Sequence, residues 1–268
     1  MKTPHSNAYV VDKVLPRKPL NLLPLWAIAA LALLCLMTWN LDISFVDLFD
    51  GVGDIFEYIS RYRHPDFSDL PEYLQLMLDT LAMALWGTVL ALVIAFILAP
   101  LAARNFSPYS AVYRIVRELL NLMRSMPDLV LALIFVAALG LGPFPGILAL
   151  GVHTAGYLGK FFAESLEQIN KGICEGVAST GANYSQRVMF AGWPSILPEV
   201  FGTTLYILDR NVRMACILGL VGAGGIGLKL YDSLKLFNYG QSAALILLIL
   251  ATLMIIDYAS SWLRRKLA

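Results

Sequence analysis

Charge is what this sequence has least of. Of its 268 residues only 15% are acidic or basic while 58% are hydrophobic, against about 25% charged in an ordinary soluble domain. That much apolar surface exceeds what one compact core can hide behind a polar exterior, which argues against a cytoplasmic globule and makes lipid the expected solvent. The net charge of +1 offers no basic stripe for nucleic acid. The cysteines, Cys35, Cys174 and Cys216, are odd in number and widely spaced, which suggests neither a disulfide framework nor a zinc site. His5, His64 and His153 are equally scattered, leaving no metal-ligand or acid–base cluster, so a membrane enzyme is a poor reading. No Gly-x-x-x-x-Gly-Lys-Ser/Thr loop occurs to cradle phosphates. Energy for any work must come from elsewhere.

What is present is long uncharged runs. A hydrocarbon core about 30 Å thick needs roughly 20 apolar residues in helix. Residues 19–41, 80–103, 129–159 and 236–256 carry no Asp, Glu, Lys or Arg. The third run is too long for one helix and is cut by Gly142-Pro143-Phe144-Pro145-Gly146, a turn signal, so it reads as a hairpin of two spans. The first arm is short and must begin earlier, near Glu118. A fifth stretch, 200–221, counts as a span despite Asp209, Arg210 and Arg213. The total is six. Lys and Arg of short loops prefer the cytoplasm. Lys2, Lys13, Arg17 and Lys18 precede the first span and Arg264, Arg265 and Lys266 follow the last, so both termini are expected inside. Residues 42–79 hold nine acidic residues and only Arg61 and Arg63, as expected outside. The organisation expected is a cytoplasmic segment 1–18, a first transmembrane helix 19–41, an acidic outer loop 42–79, a five-helix core 80–262 and a basic tail 263–268. The alternative for the first run, a cleaved signal peptide, fits poorly. The run exceeds the usual h-region of about 7–15 residues and ends in Met37-Thr38-Trp39-Asn40 rather than a small-residue cleavage site.

The inner loop after the fourth span holds Val177, Ala178, Val188, Met189, Phe190 and Trp193, too apolar for a mobile connection without a partner. A helix is expected from Glu175, whose carboxylate suits a helix N-terminus. In this loop Glu175, Gly181 and Pro194 stand at the spacing of a Glu-Ala-Ala, three residues, Gly, nine residues, Ile, one residue, Leu-Pro motif. Gly176, Val177, Ala191 and Trp193 depart from it. The loop thus resembles the penultimate cytoplasmic loop of permeases of binding-protein-dependent ABC importers. The resemblance implies a type I importer permease fold and a coupling helix at about 175–190 seated in an ATP-hydrolysing subunit, with Glu175, Gly176, Ala178, Gly181, Ala182 and Pro194 as coupling residues. An interfacial helix resting on headgroups is the competing reading.

Longer stretches, 124–135 (RSMPDLVLALIF), 149–160 (ALGVHTAGYLGK) and 211–227 (NVRMACILGLVGAGGIG), are similar to the phosphonate and phosphite permeases in particular. That likeness runs from about residue 74 to the C-terminus. It implies a non-catalytic translocation subunit in the bacterial inner membrane. Its implied partners are a second copy of itself, two or more ABC ATPases that bind ATP and Mg, and an extracytoplasmic solute-binding protein.

Ionisable residues at membrane depth are costly and are presumed paired or facing a water-filled route. Arg124 with Asp128 and Asp209 with Arg213 are each four apart and expected to pair along one helix, leaving Arg210 over. The surplus positive charge suits an anionic permeant, so Arg124, Pro127, Asp128, Asp209, Arg210 and Arg213 are the expected gate and pathway. Interhelical ion pairing or snorkelling is the other reading of the five charged ones. Pro127 permits a bend, and His153, among Gly151, Thr154 and Gly156, reads as a packed hydrogen-bonding residue. Gly222-Ala223-Gly224-Gly225-Ile226-Gly227 matches a dinucleotide pattern but lacks the strand and βαβ unit it requires. The alternatives to an oxyanion importer are an ABC permease for phosphate or an amino acid, an ion-coupled secondary transporter using Asp128 and Asp209, and a scaffold that moves no solute.

Overall fold

The computed structural model describes residues 23–40 and 51–267, and every regular element among them is helical. The chain divides into two compact units, residues 1–57 and 58–268. The first holds α1 (Leu23–Asn40), 18 residues within the first apolar run. The N-terminal basic residues, residues 19–22 and 41 of the first apolar run and residues 42–50 of the acidic loop lie outside the described residues. Helix α2 (Val52–Ser60) follows, with Asp54 in its first turn.

The second unit carries α3 (Leu70–Ala102), α4 (Ser110–Ser125), α5 (Asp128–Leu139), α6 (Pro143–Glu167), α7 (Lys171–Ser179), α8 (Tyr184–Arg187), α9 (Trp193–Leu218), α10 (Gly225–Lys235) and α11 (Tyr239–Leu267). Two π-helical turns, Val188–Gly192 and Gly219–Ala223, flank α9. Helix α3 begins ten residues before the uncharged run, because Glu72 and Asp79 are exposed while Tyr73, Met77 and Thr80 are buried. A charge does not end a helix whose other face is covered.

Helices α3 and α11 are long and apolar enough to cross a membrane, with mean hydropathies of 2.6 and 2.2. Helices α4 and α5 qualify together across an 88° bend, as do α8–α9 and α10 across a 60° bend. Length and composition therefore give two to four crossings among the described residues, against the six expected from hydropathy. Helix α1 ranks among shorter apolar helices. Helix α6, although 25 residues long, dilutes its apolar content with glycine, His153 and Thr154.

That dilution serves packing. Helix α3 buries Ala84, Gly87, Thr88, Ala91, Ala95 and Ala99 in one stripe, and α6 answers with Gly146 and Gly151, while its Gly156 and Gly159 receive α4. Small residues let backbones approach closely where lipid provides no hydrophobic drive between helices. The α3–α6 pair is accordingly the most extensive contact in the unit. Towards the α3 C-terminus the core adds Phe106, Leu120, Leu158, Phe162, Leu166, Trp193 and Ile196.

Two local expectations are corrected. The hairpin tip is Gly140–Gly142, both glycines having positive φ. Pro143 and Pro145 stand in the first turn of α6, where a missing N–H leaves no helix bond unmade. The span expected to start near Glu118 and to bend at Pro127 instead stops fully at Ser125, and α5 starts afresh at Asp128.

Candidate functional site

Two regions of the second unit carry the residues singled out from the sequence. The first lies between α6 and α9. Helix α7 opens four residues earlier than expected because Asn170 caps it, its side chain accepting from the Gly172 amide at 2.9 Å. Glu175 is consequently mid-helix and exposed, not in the first turn. At Gly181 the backbone turns through φ 82°, a conformation natural only to glycine. A reciprocal cap between Asn183 and Gln186, at 3.0 and 2.8 Å, then opens α8. The single helix expected over 175–190 is thus two short helices hinged at a glycine.

Gly176, Val177, Thr180, Gly181, Ala182, Gln186 and Phe190 line an open hollow of about 520 Å³. Ala178 is exposed on α7, and Pro194 is exposed in the first turn of α9, apart from the hollow. The apolar residues of the segment divide. Trp193 stacks on Phe96 at 4.2 Å and meets Phe162 edge-on at 5.9 Å, and Val188 and Ala191 are buried with it. Their hydrophobicity is satisfied within the chain. Met189 and Phe190 remain 55% and 69% exposed, and the buried hydroxyl of Tyr184, which lines a hollow with Met189, has no hydrogen bond. Burial pushes the Tyr184 phenol above its ordinary range, the Arg187 charge partly opposing this.

The second region is the break between α4 and α5. Pro127 has no N–H, and the Val130 and Leu131 amides turn to the Pro127 carbonyl at 3.0 and 3.2 Å. The Met126 carbonyl is left to His153, whose Nδ1 lies 2.9 Å away. Asp128, the first residue of α5, is buried. Its Oδ1 is 2.8 Å from His153 Nε2 and its Oδ2 is 3.6 Å from Arg210 Nη2. Arg210 Nη2 also lies 3.1 Å from His153 Nε2. Tyr157, one turn along α6 from His153, receives Arg210 on its ring at 4.7 Å and Arg124 at 5.5 Å. One carboxylate thus shares a site with two guanidinium groups. Arg213 pairs with Asp209 along α9 as expected, the arginine 52% exposed and the aspartate 4%.

The expected Arg124–Asp128 pair does not form. Its premise was one continuous helix, and the break rotates Asp128 away to His153 and Arg210. Arg210, unpaired within its own helix, is partnered from α5 and α6. Its register is fixed next door, where the Thr154 hydroxyl donates to Asn211 Oδ1 at 3.0 Å and Asn211 Nδ2 donates to Thr88 Oγ1 at 2.9 Å. His153, Tyr157 and Asn211 belong to this site and were not among the expected residues. The i, i+4 spacing of His153 and Tyr157 was the available signal. Among the described residues no group of three or more His, Cys, Asp or Glu side chains could hold a metal ion.

Residues 87–268 match the family model described as binding-protein-dependent transport system inner membrane component. The chain is 39% identical to the phosphite transport system permease protein PtxC of Stutzerimonas stutzeri, over 81% of this chain and 79% of that one. It is 37% identical to that organism's putative phosphite transport system permease protein HtxC, over 89% and 84%. That coverage carries the likeness into the acidic loop and first apolar run, beyond residue 74. It is also 39% identical to the phosphate-import permease protein PhnE of Mycolicibacterium smegmatis, over 85% of this chain and 43% of that longer one. Among solved structures, an inward-facing MetNI methionine ABC transporter superposes with a TM-score of 0.62 at 23% identity, over 73% of this chain and 96% of that one. The fold is that of type I ABC importer permeases.

Proposed function

The chain belongs to the binding-protein-dependent transport system inner membrane components, and from that premise we propose that it is the permease subunit of an ATP-driven importer of phosphite- or phosphonate-type oxyanions. The observation that carries this reading is the likeness, over about four fifths of both chains, to a relative named as a phosphite permease. Two features of the chain support it. A glycine-hinged pair of helices presents an open hollow and an exposed Phe190, a seat for a rigid partner surface. Arg124, Arg210 and Arg213 outnumber Asp128 and Asp209 in one helical neighbourhood, so an anion meets fixed positive charge.

In this reading the chain does no covalent chemistry. It works as a two-fold pair, with six crossings per copy and both termini cytoplasmic. Two ATPase subunits bind ATP and Mg, and an extracytoplasmic protein selects and delivers the solute. Closure of the ATPases moves α7 and α8 through Glu175, Gly176, Ala178, Gly181 and Ala182. Pro194 at the head of α9 passes that displacement to Asp209, Arg210 and Arg213, and the elbow at Pro127 changes which side is open.

The substrate class is tested by titrating the cognate binding protein with phosphite, methylphosphonate, phosphate and methionine. Tightest binding of phosphite or methylphosphonate is expected. Phosphate as the tightest ligand would reassign the oxyanion, and methionine alone would overturn the anionic reading. Within the permease, Arg213→Gln is expected to slow anion uptake with assembly intact. Unchanged uptake would remove Arg213 from the pathway.

A further inference from the structure

His153 Nε2 faces an acceptor and a donor at once, the Asp128 carboxylate at 2.8 Å and the Arg210 guanidinium at 3.1 Å. Its Nδ1 is committed to the Met126 carbonyl, which can only accept. Nε2 can therefore serve one of the two and not both. With a proton it donates to Asp128; without one it accepts from Arg210. The Asp128 Oδ1 makes no properly angled hydrogen bond although it is buried, so the carboxylate is held close without being saturated. Arg210, 30% exposed at its side chain against 5% for Asp128, is the member of the group that reaches open space.

We propose that His153 is a positioning residue that fixes the elbow at Pro127 and keeps Asp128 from closing on Arg210, so that Arg210 stays available to a small oxyanion. This rests on the anion-importer reading above. The separation is physical. At 3.6 Å the Asp128–Arg210 pair is wider than the roughly 2.7–2.9 Å of a charge-assisted hydrogen bond, because the imidazole occupies the near side of the carboxylate. Tyr157 holds the guanidinium with its ring face. Removing the imidazole lets the carboxylate and guanidinium collapse into a direct pair, which low dielectric strengthens, and the pathway loses a guanidinium that is otherwise only loosely paired. The Met126 carbonyl is released in the same step. The elbow and the charge of the pathway are thus set by one side chain.

The test uses the full permease with its ATPase and binding protein in liposomes, reading labelled phosphite imported per ATP hydrolysed. Half-saturation would report mainly on the binding protein, and a merely structural defect would lower import and hydrolysis together. His153→Leu is expected to lower the import-to-hydrolysis ratio about tenfold, the factor associated with one hydrogen bond to a charged group. Adding Asp128→Asn removes the carboxylate that would collapse on Arg210 and is expected to raise the ratio about threefold above His153→Leu, the released Met126 carbonyl keeping it below wild type. A double variant no better than His153→Leu overturns the proposal. So does a single variant with an unchanged ratio. If His153→Leu fails to assemble, His153→Gln replaces it, with the same expectation for the Asp128→Asn pair. Arg210→Gln separates the two levels. If it leaves the ratio unchanged, Arg210 does not meet the anion and this inference fails while the importer reading stands; if wild type imports neither phosphite nor methylphosphonate, the importer reading itself fails. A lowered ratio in Arg210→Gln with none in His153→Leu defeats this inference alone.

Discussion

Gly156→Ala should loosen the docking of α4 on α6. A Cβ at Gly156 would stand 2.8 Å from both the Leu120 carbonyl oxygen and the Arg124 amide nitrogen, and 3.1 Å from the Arg124 Cβ. Two of these three neighbours are backbone atoms of α4, so no rotamer change relieves the contact. Ordinary contact begins at 3.4 Å, and the last two turns of α4 must retreat by about 0.6 Å. Overpacking of this kind costs about 1–3 kcal/mol, a fall in melting temperature of roughly 2–12 °C for a unit of this size. The retreat also displaces Arg124 from Tyr157, so import should weaken. Gly176→Ala is the control, because a Cβ there meets nothing within 4 Å and the residue lies within α7. Alanine's better helix propensity should leave it neutral or up to about 1 kcal/mol more stable. Thermal unfolding of the purified protein in detergent, followed by circular dichroism, reads both. A melting temperature unchanged by Gly156→Ala, or lowered as much by Gly176→Ala, would refute the close-approach argument.

Gly181→Trp should leave the permease in the membrane but abolish co-purification of the ATPase, since it combines strain at φ 82° with bulk in the hollow; normal co-purification would remove this turn from the coupling surface. Asn211→Leu breaks two buried hydrogen bonds and should cost about 1–3 kcal/mol in the same melting assay, at roughly 0.6–1.7 kcal/mol per intramembrane bond; a loss below about 0.5 kcal/mol would contradict the seam. Asp66 lies in the exposed loop before α3, where the Ser68 amide donates to its carboxylate at 2.9 Å and holds it below the ordinary carboxylate range. A lowered folded value means that its contribution is present above the usual carboxylate pKa and is lost as pH falls through the depressed one. The chemical shift of its carboxyl carbon should titrate below that of an unstructured aspartate, and an ordinary midpoint would refute the turn.

Much of this was legible in the sequence, for identifiable reasons. Lipid as solvent, an all-helical architecture and the family followed from the uncharged runs and from Glu175, Gly181 and Pro194 in their order. The Asp209–Arg213 pair followed from spacing along one unbroken helix. What spacing could not supply was whether a helix stays unbroken. Pro127 permits either a shallow bend or a full stop, and only the tertiary partner of the Met126 carbonyl decides between them. Once His153 takes that carbonyl, Asp128 leaves the face it shared with Arg124 and joins α6 and α9. The apolar character of 175–193 was ambiguous in the same way. Trp193 fills the chain's own core against Phe96, whereas Phe190, three residues earlier, does not. The start of α7 depended on Asn170, a cap whose position outside the motif gave no cue.

The central claim is that this chain moves a small oxyanion at the expense of ATP hydrolysed by a partner. It is tested most directly by measuring labelled phosphite entry into liposomes holding the permease and its ATPase, with the binding protein and ATP supplied on their respective sides. The account predicts uptake that needs both ATP and the binding protein and survives collapse of ion gradients by ionophores. Uptake driven by an ion gradient without ATP would contradict it.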